Sequence, residues 1–328
     1  MRACVLHAVG DLRYEDVPAP TIEKDEVLLK IKASGICGSD LQRVFVKGTY
    51  HFPTIPGHEF AGEIVESDDA DLIGKRAAVF PLLPCFVCEM CADEQYAGCA
   101  DYDYYGSRRD GGFAEYLAVK KWNLIFLPDN VSYEEAAMCE PSSVALHAVR
   151  RAEIRGSDDV IIFGAGPIGI ILAQWSHQMG ARRVMLFDID KAKCEFAKGM
   201  GFEIWEDGVT ADVVIEGTGA ASALADCIGC VKPLGKIVLM GNPLGDMPLS
   251  QKVYWEILRK QVTLTGTWNS SYSNAVNDWR DSLAALSEGK LSLKPLITHR
   301  FAFDECGRAF DVMRNRTELY SKIMFVNE

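Results

Sequence analysis

The chain has 328 residues, 48% of them hydrophobic and 24% charged, enough apolar material for two buried cores rather than one. A formal net charge of −12 speaks against a nucleic-acid partner or an anionic membrane surface, because both need a basic patch. No apolar run reaches the roughly eighteen residues of a membrane span, and eleven cysteines, an odd number, suit free thiols and metal ligands better than a disulfide framework.

The opening "MRACVLHAVGDLRYEDVP" reads as strand and turn. It lacks a basic segment followed by an apolar one, so the expected location is the cytoplasm. Strands punctuated by Gly and Pro continue through "ASGICGSDLQRVFVKGTYHFPTIPGHEFAGEIVE", which carries Cys37 and then His58 and Glu59. A thiolate and an imidazole with a carboxylate beside them form an incomplete zinc set that leaves a position open for substrate. By residue type alone the same residues also suit a purely structural role.

Next comes "PLLPCFVCEMCADEQYAGCADYDYYGSRRDGGFAEY", where Cys85, Cys88, Cys91 and Cys99 follow the spacing C-x2-C-x2-C-x7-C. Thiolates this close reach one ion from a tight turn, and four sulfur ligands close a tetrahedron with no place for water. The expectation is a structural zinc that braces a loop too poor in apolar residues to build its own core. Unrelated buried thiols, a redox C-x-x-C pair and an iron–sulfur cluster are the alternatives.

The segment "SDDVIIFGAGPIGIILAQWSHQMGARRVMLFDID" is a strand, a glycine turn, a helix and a second strand. Gly164 permits the tight turn, Gly166 lets a pyrophosphate approach, and Gly169 permits close strand–helix packing. With Pro167 and Ile168 these glycines are the candidate contacts of a dinucleotide at the helix N-terminus. Gly180 is the expected C-cap of the helix. Asp188 falls close to the spacing, about 20 residues on, at which an acid binds ribose hydroxyls and repels a 2′-phosphate. NAD is therefore favoured over NADP, a preference slightly tempered by Lys193, a cation within reach of the same ribose. Further strands in "DVVIEGTG", "GKIVLMG" and "VTLTGTW" continue the βα rhythm, and Thr218, Gly219, Gly241 and Thr267 should line the cofactor groove.

Between "GFEIWE" and "DVVIEGTG" the chain is too short for a helical crossover, so near residues 202–212 either the third strand is displaced or the crossover is a bare loop. Cys227 and Cys230 lie in a helix-like apolar segment with no further ligand nearby and read as core or reactive thiols.

The fold expected is α/β, built from two domains. Residues 1–141 form a strand-rich catalytic domain with both zinc sites, 142–268 a doubly wound parallel sheet of the Rossmann type, and 269–328 return to the catalytic domain. The active site is expected in the cleft between them.

"GICGSD", "GHEFAGEIVE", the cysteine loop and "GAGPIG" occur in the order found in the zinc-containing medium-chain alcohol and polyol dehydrogenases, and the chain resembles that family over essentially its whole length. The resemblance implies a GroES-like catalytic domain with Cys37 and His58 as ligands of a catalytic zinc. Members of the polyol branch have a Glu-Pro pair where the alcohol branch has cysteine; "MCEPSSVALHA" supplies Glu140 as the implied third ligand, with Cys139 passed over. Glu59 would coordinate directly or exchange with Glu140. Ser39 matches the hydroxyl that accepts the substrate proton, although a serine there also suits a turn. Some relatives continue the relay through a histidine where this chain has Gln42, so the proton is expected to leave through water.

The implied reaction is hydride transfer between a secondary alcohol and NAD. "PLLPCFVC", "GSRRDGGFAEY" and "LSLKPLITHRFAF" resemble the polyol-phosphate members, which points to galactitol 1-phosphate. Arg108 and Arg109 are then candidates for gripping phosphate, or else they pair with the acidic "DYDYY". His51, with Tyr50 and Phe52, is a candidate for the sugar-alcohol side. Sorbitol, threonine and butanediol are the alternative substrates, and a non-enzymatic NAD sensor is the alternative class. The family implies a homodimer or homotetramer.

Overall fold

The computed structural model describes residues 1–327. The chain divides into two compact units, Met1–Glu140 with Ser271–Glu328, and Pro141–Ser270.

In the first unit the hub is the strand Glu26–Gly35. Its buried positions include Val27, Leu29 and Ile31, and it pairs antiparallel with Glu59–Ser67, Lys322–Val326 and Tyr116–Lys120. Arg76–Val79 and Leu124–Phe126 extend the sheet on one side and Ile297–Phe301 on the other, giving seven strands. Phe60, Phe113, Phe310 and Phe325 fill the core beneath it. This is the strand-rich domain that the sequence places first.

The register decides where the polar residues of this unit meet. Gly35 lies opposite Glu59 on one side and Met324 on the other. A Cβ at position 35 would stand 2.3 Å from Glu59 Oε2, so glycine is required there for the carboxylate to lie across the strand.

The second unit is a six-stranded parallel sheet in the order Glu203–Ile204, Arg183–Phe187, Asp159–Phe163, Ala211–Glu216, Val231–Leu239, Thr263–Gly266. Asp159–Phe163 is buried at every position, as a central parallel strand covered on both faces must be. The order reverses beside it, the arrangement of a doubly wound Rossmann sheet.

The crossover from Glu203–Ile204 to Ala211–Glu216 is a bare loop, and only two residues of "GFEIWE" pair as strand. Trp205 and Val209 of that loop pack on the core cluster of Ile161, Phe163 and Met185. The Trp205 ring also meets Phe163 and Phe187 at 5.4 and 5.2 Å, and its Nε1–H donates to Val209 O. One indole thus covers sheet surface that a crossover helix would otherwise cover. Cys227 and Cys230 are buried in the helix Ala221–Cys230. Among the described residues no helix is long and apolar enough to cross a membrane.

Candidate functional site

Cys37 caps the short helix Gly38–Gln42 directly after the hub strand. His58 and Glu59 stand where the neighbouring strand begins. The sheet register brings these segments together, and ligand atoms of Cys37, His58 and Glu59 all lie within 4.8 Å of one another. Sulfur, nitrogen and carboxylate oxygen from three residues form a donor set that fits zinc with a position open.

Asp40 ties this group to its helix. Fully buried, its carboxylate accepts from the Cys37 backbone N–H at 3.0 Å and from Arg43 Nη1 at 2.8 Å, and lies 3.3 Å from His58 Nδ1. Nδ1 is thereby engaged, and Nε2 is the ring nitrogen available to a metal. Burial alone would raise the Asp40 carboxyl, but His58, Arg43 and the Cys37 N–H outweigh it and hold it at about 2. Burial likewise works against a charged His58, yet the Asp40 carboxylate lifts it well above its usual value. A metal ion would displace that proton.

Ser39 Oγ accepts from Arg43 Nη1 at 2.9 Å, so Arg43 bridges the serine and the aspartate. Gln42 ends the helix, and no hydrogen bond joins it to Ser39 among the described residues.

The two carboxylates differ in environment. Lys322 Nζ donates to both oxygens of Glu59, at 2.8 and 2.6 Å, and to Ile36 O at 3.3 Å, and both side chains are buried. Burial would lower Lys322, but Glu59 outweighs it and raises the ammonium above its usual range. Glu140 stands outside the close donor group, receiving the Tyr104 hydroxyl at 3.5 Å. Burial pushes Glu140 up to about 7; Glu59 and Asp40 push the same way, whereas His58 and Lys322 oppose. Glu140 is therefore a carboxyl poised near neutrality beside a carboxylate already held by an ammonium. Cys139 is buried and donates to Trp279 O.

In the cysteine loop, Cys85, Cys88, Cys91 and Cys99 also converge within 4.8 Å. Cys88 and Cys91 sulfurs are 3.5 Å apart and Cys85 and Cys91 3.9 Å, close to the roughly 3.8 Å edge of a tetrahedron with Zn–S of about 2.3 Å. Backbone N–H groups of Cys91 and Ala100 draw the Cys88 thiol down to about 6. The loop rests on rings: Phe86, Tyr96 and Tyr272 all meet Trp122 edge-on at 4.9 to 5.2 Å. This four-sulfur cage suits a structural ion.

The nucleotide turn sits at the end of Asp159–Phe163. Gly164 adopts φ +110, and a Cβ at Gly169 would lie 1.7 Å from Gly164 O, so no side chain fits there. A Cβ at Gly166 would meet nothing within 4 Å, which leaves open the space a pyrophosphate needs. Pro167 begins the helix Pro167–Gln178, with Ile168 in its first turn, and Gly180 follows it at φ +89. Asp188 accepts from Ala165 N and Asp190 N at 3.0 and 2.9 Å, with Lys193 Nζ 4.0 Å away. Glu216, buried, accepts from Thr218 N, Thr218 Oγ1 and Gly219 N at 2.8, 2.5 and 3.0 Å. Gly241 packs against the Gly219 backbone, so Thr218 and Gly241 belong to one braced turn.

The substrate candidates separate. Both ring nitrogens of His51 face backbone carbonyls, those of Pro53 and Arg108, each at 3.1 Å. Arg109 Nε lies 3.6 Å from Asp103 Oδ2. Arg108 stacks between Tyr50 and Tyr102. A cavity of about 300 Å3 beside His51 and Arg109 is lined by Met1, Tyr105 and Asp110 and contains none of the donor residues of either cluster.

Sequence reading missed Asp40, Arg43, Tyr104, Lys322 and Glu216. The spacing of Ser39, Asp40 and Arg43, three and four apart on a helix, was a usable signal, and so was a carboxylate closing the apolar run "DVVIE". Lys322 gave none, because a lysine opening an apolar strand reads as exposed.

Family models match the chain as "Alcohol dehydrogenase GroES-like domain" over residues 23–129 and "Zinc-binding dehydrogenase" over 167–288. The chain is 37% identical over 336 aligned positions to galactitol 1-phosphate 5-dehydrogenase of Escherichia coli K12, covering 96% of this chain and 97% of the relative. The crystal structure of the galactitol-1-phosphate dehydrogenase of Escherichia coli superposes with a TM-score of 0.91 at 35% identity, covering 100% of both chains. A sorbitol dehydrogenase of Bombyx mori is 32% identical, covering 95% of each chain. An alcohol dehydrogenase of Escherichia coli CFT073, solved with NADH, has a TM-score of 0.91 at 25% identity over 100% of this chain and 99% of that one.

Proposed function

We propose that this chain, which belongs to the zinc-binding alcohol dehydrogenase family, oxidises galactitol 1-phosphate or a close polyol phosphate at a secondary alcohol. Its coarser activity, that of a zinc- and NAD-dependent oxidoreductase of a polyol-type secondary alcohol, is stated by the family together with the donor set and the glycine turn. The reaction converts R2CHOH and NAD+ to R2C=O, NADH and a proton. The observation that carries the reading is the gathering of ligand atoms of Cys37, His58 and Glu59 within 4.8 Å of one another, with the Ser39 hydroxyl joined to His58 through Arg43 Nη1 at 2.9 and 3.4 Å.

In this reading Cys37, His58 and Glu59 would hold the catalytic zinc, with Glu140 as the alternative carboxylate ligand, and the four-cysteine cage would hold a structural one. When bound there, zinc would supply a Lewis acid for the alcohol oxygen and NAD the hydride acceptor. The protein's own groups orient and move the proton. Asp40 fixes the His58 ring, Lys322 holds both oxygens of Glu59, and Ser39 takes the alcohol proton. Arg43, donating to Ser39 Oγ, sets the rotamer of that hydroxyl. Without a histidine at position 42, the proton passes from Ser39 to water. Asp188 with the glycine turn selects NAD.

The test is a screen of purified enzyme with NAD against galactitol 1-phosphate, galactitol, sorbitol, threonine and butanediol. The phosphate ester is expected to give the highest kcat/KM. Equal values with and without the phosphate would remove the polyol-phosphate reading and leave the polyol-type activity.

A further inference from the structure

A polyol phosphate carries a dianion, and telling it from the free polyol calls for a cation apart from the residues that would hold the metal. Three arginines of the first unit, Arg43, Arg108 and Arg109, use their charges differently. Arg43 is paired with buried Asp40, at 2.8 Å. Arg109 is paired with Asp103, at 3.6 Å, and lies over the Tyr105 ring. Arg108 has no carboxylate within ion-pair distance among the described residues. Its guanidinium lies between the rings of Tyr50 and Tyr102, 4.4 and 4.3 Å from their centroids.

The sandwich is a preorganised cation. Nη1 donates to Tyr102 O at 2.8 Å and Nη2 to the Tyr50 hydroxyl at 3.4 Å. Of the five N–H groups of a guanidinium, the others have no hydrogen-bond partner among the described residues, and a phosphate can accept two parallel hydrogen bonds from such a fork. His51 Nε2 meets the Arg108 carbonyl, which fixes the main chain of the same loop. Asp103, the nearby acid that would repel a phosphate, is neutralised by Arg109.

The sandwich is also connected to the donor group. The Tyr102 and Tyr104 rings are 6.2 Å apart, the Tyr104 and His58 rings 5.9 Å, and the Tyr104 hydroxyl reaches Glu140. Two tyrosines therefore link the loop that carries Arg108 to the zinc-type centre.

We infer that Arg108, clamped between Tyr50 and Tyr102, is the phosphate-reading residue that makes the enzyme select polyol phosphates over free polyols. This inference rests on the polyol-phosphate reading of the site.

The experiment compares kcat/KM for galactitol 1-phosphate with that for galactitol, using zinc-loaded enzyme and NAD, in wild type, Arg108→Met and Arg108→Lys. Wild type should prefer the ester, and Arg108→Met should cut that preference on the order of 10- to 100-fold, mainly through KM. Arg108→Lys should keep part of it, as a point charge without the fork. Calorimetric titration of galactitol 1-phosphate should show the same weakening in Kd. A loosened loop would lower both substrates together and leave the ratio intact, so melting temperature and zinc content are measured alongside. If wild type prefers the ester and Arg108→Met keeps the full preference, this inference is overturned while the substrate reading stands. If wild type shows no preference, both are overturned.

Discussion

Lys322→Met is the most demanding test of how the donor group is held. The substitution keeps the volume and the apolar stem but removes the ammonium from both oxygens of Glu59, which it meets at 2.6 and 2.8 Å. Lys322 and Glu59 side chains are 5% and 1% exposed, so water cannot replace the lost donors. Removing one partner of such a pair leaves an uncompensated buried charge and costs roughly 3–5 kcal/mol. The loss should appear as a lower urea midpoint, followed by tryptophan fluorescence under identical conditions. Glu59→Gln alone should also destabilise. The double variant Lys322→Met with Glu59→Gln should be less unstable than the two losses added, with a coupling on the order of 1–3 kcal/mol. If Lys322→Met lies within about 1 kcal/mol of wild type, or if the two changes simply add, the buried pair is not what fixes Glu59.

Other expectations follow from neighbouring contacts. In zinc-free protein the Asp40 carboxyl is held at about 2, below its reference value of 3.8. Its folded-state value is depressed, so its stabilisation is present above pH 3.8 and disappears as pH falls towards 2; Asp40→Asn should flatten acid unfolding across that window by about 2 kcal/mol. Gly169→Ala puts a Cβ 1.7 Å from Gly164 O and should weaken NAD binding at least about tenfold by fluorescence titration; unchanged affinity would contradict the packing role of that glycine. Cys91→Ala should leave one fewer zinc per chain by elemental analysis and a lower melting temperature. Loss of turnover with folding and the second zinc intact would instead assign the cysteine loop to the chemistry.

Much of this molecule was legible because its chemistry is written in short local patterns. The four cysteines close their cage from a single loop, and the cage in the structure is made of the same four residues. The glycine turn likewise lies within one strand–turn–helix unit, where Gly164 and Gly169 meet each other directly. The crossover near residues 202–212 was open in the sequence because nothing local distinguishes a displaced strand from a bare loop. It was settled by Trp205, whose value lies in the rings of Phe163 and Phe187 that it meets.

The catalytic-type centre is the opposite case. Cys37 and His58 were visible as residue types, but which carboxylate stands with them depends on the pairing of Gly35 with Glu59 and on an ammonium supplied by Lys322, 263 positions further along the chain. The choice between Arg108 and Arg109 has the same origin, since adjacent arginines in "GSRRDGG" look equivalent until one faces Asp103 and the other two tyrosine rings. By itself the sequence determined the two-unit α/β plan, the glycine turn and the sulfur cage, because backbone geometry and ligand spacing act over a few residues. Tertiary structure alone decided which charges are neutralised and which are left free, because a buried charge is governed by whatever the sheet register brings within about 4 Å of it.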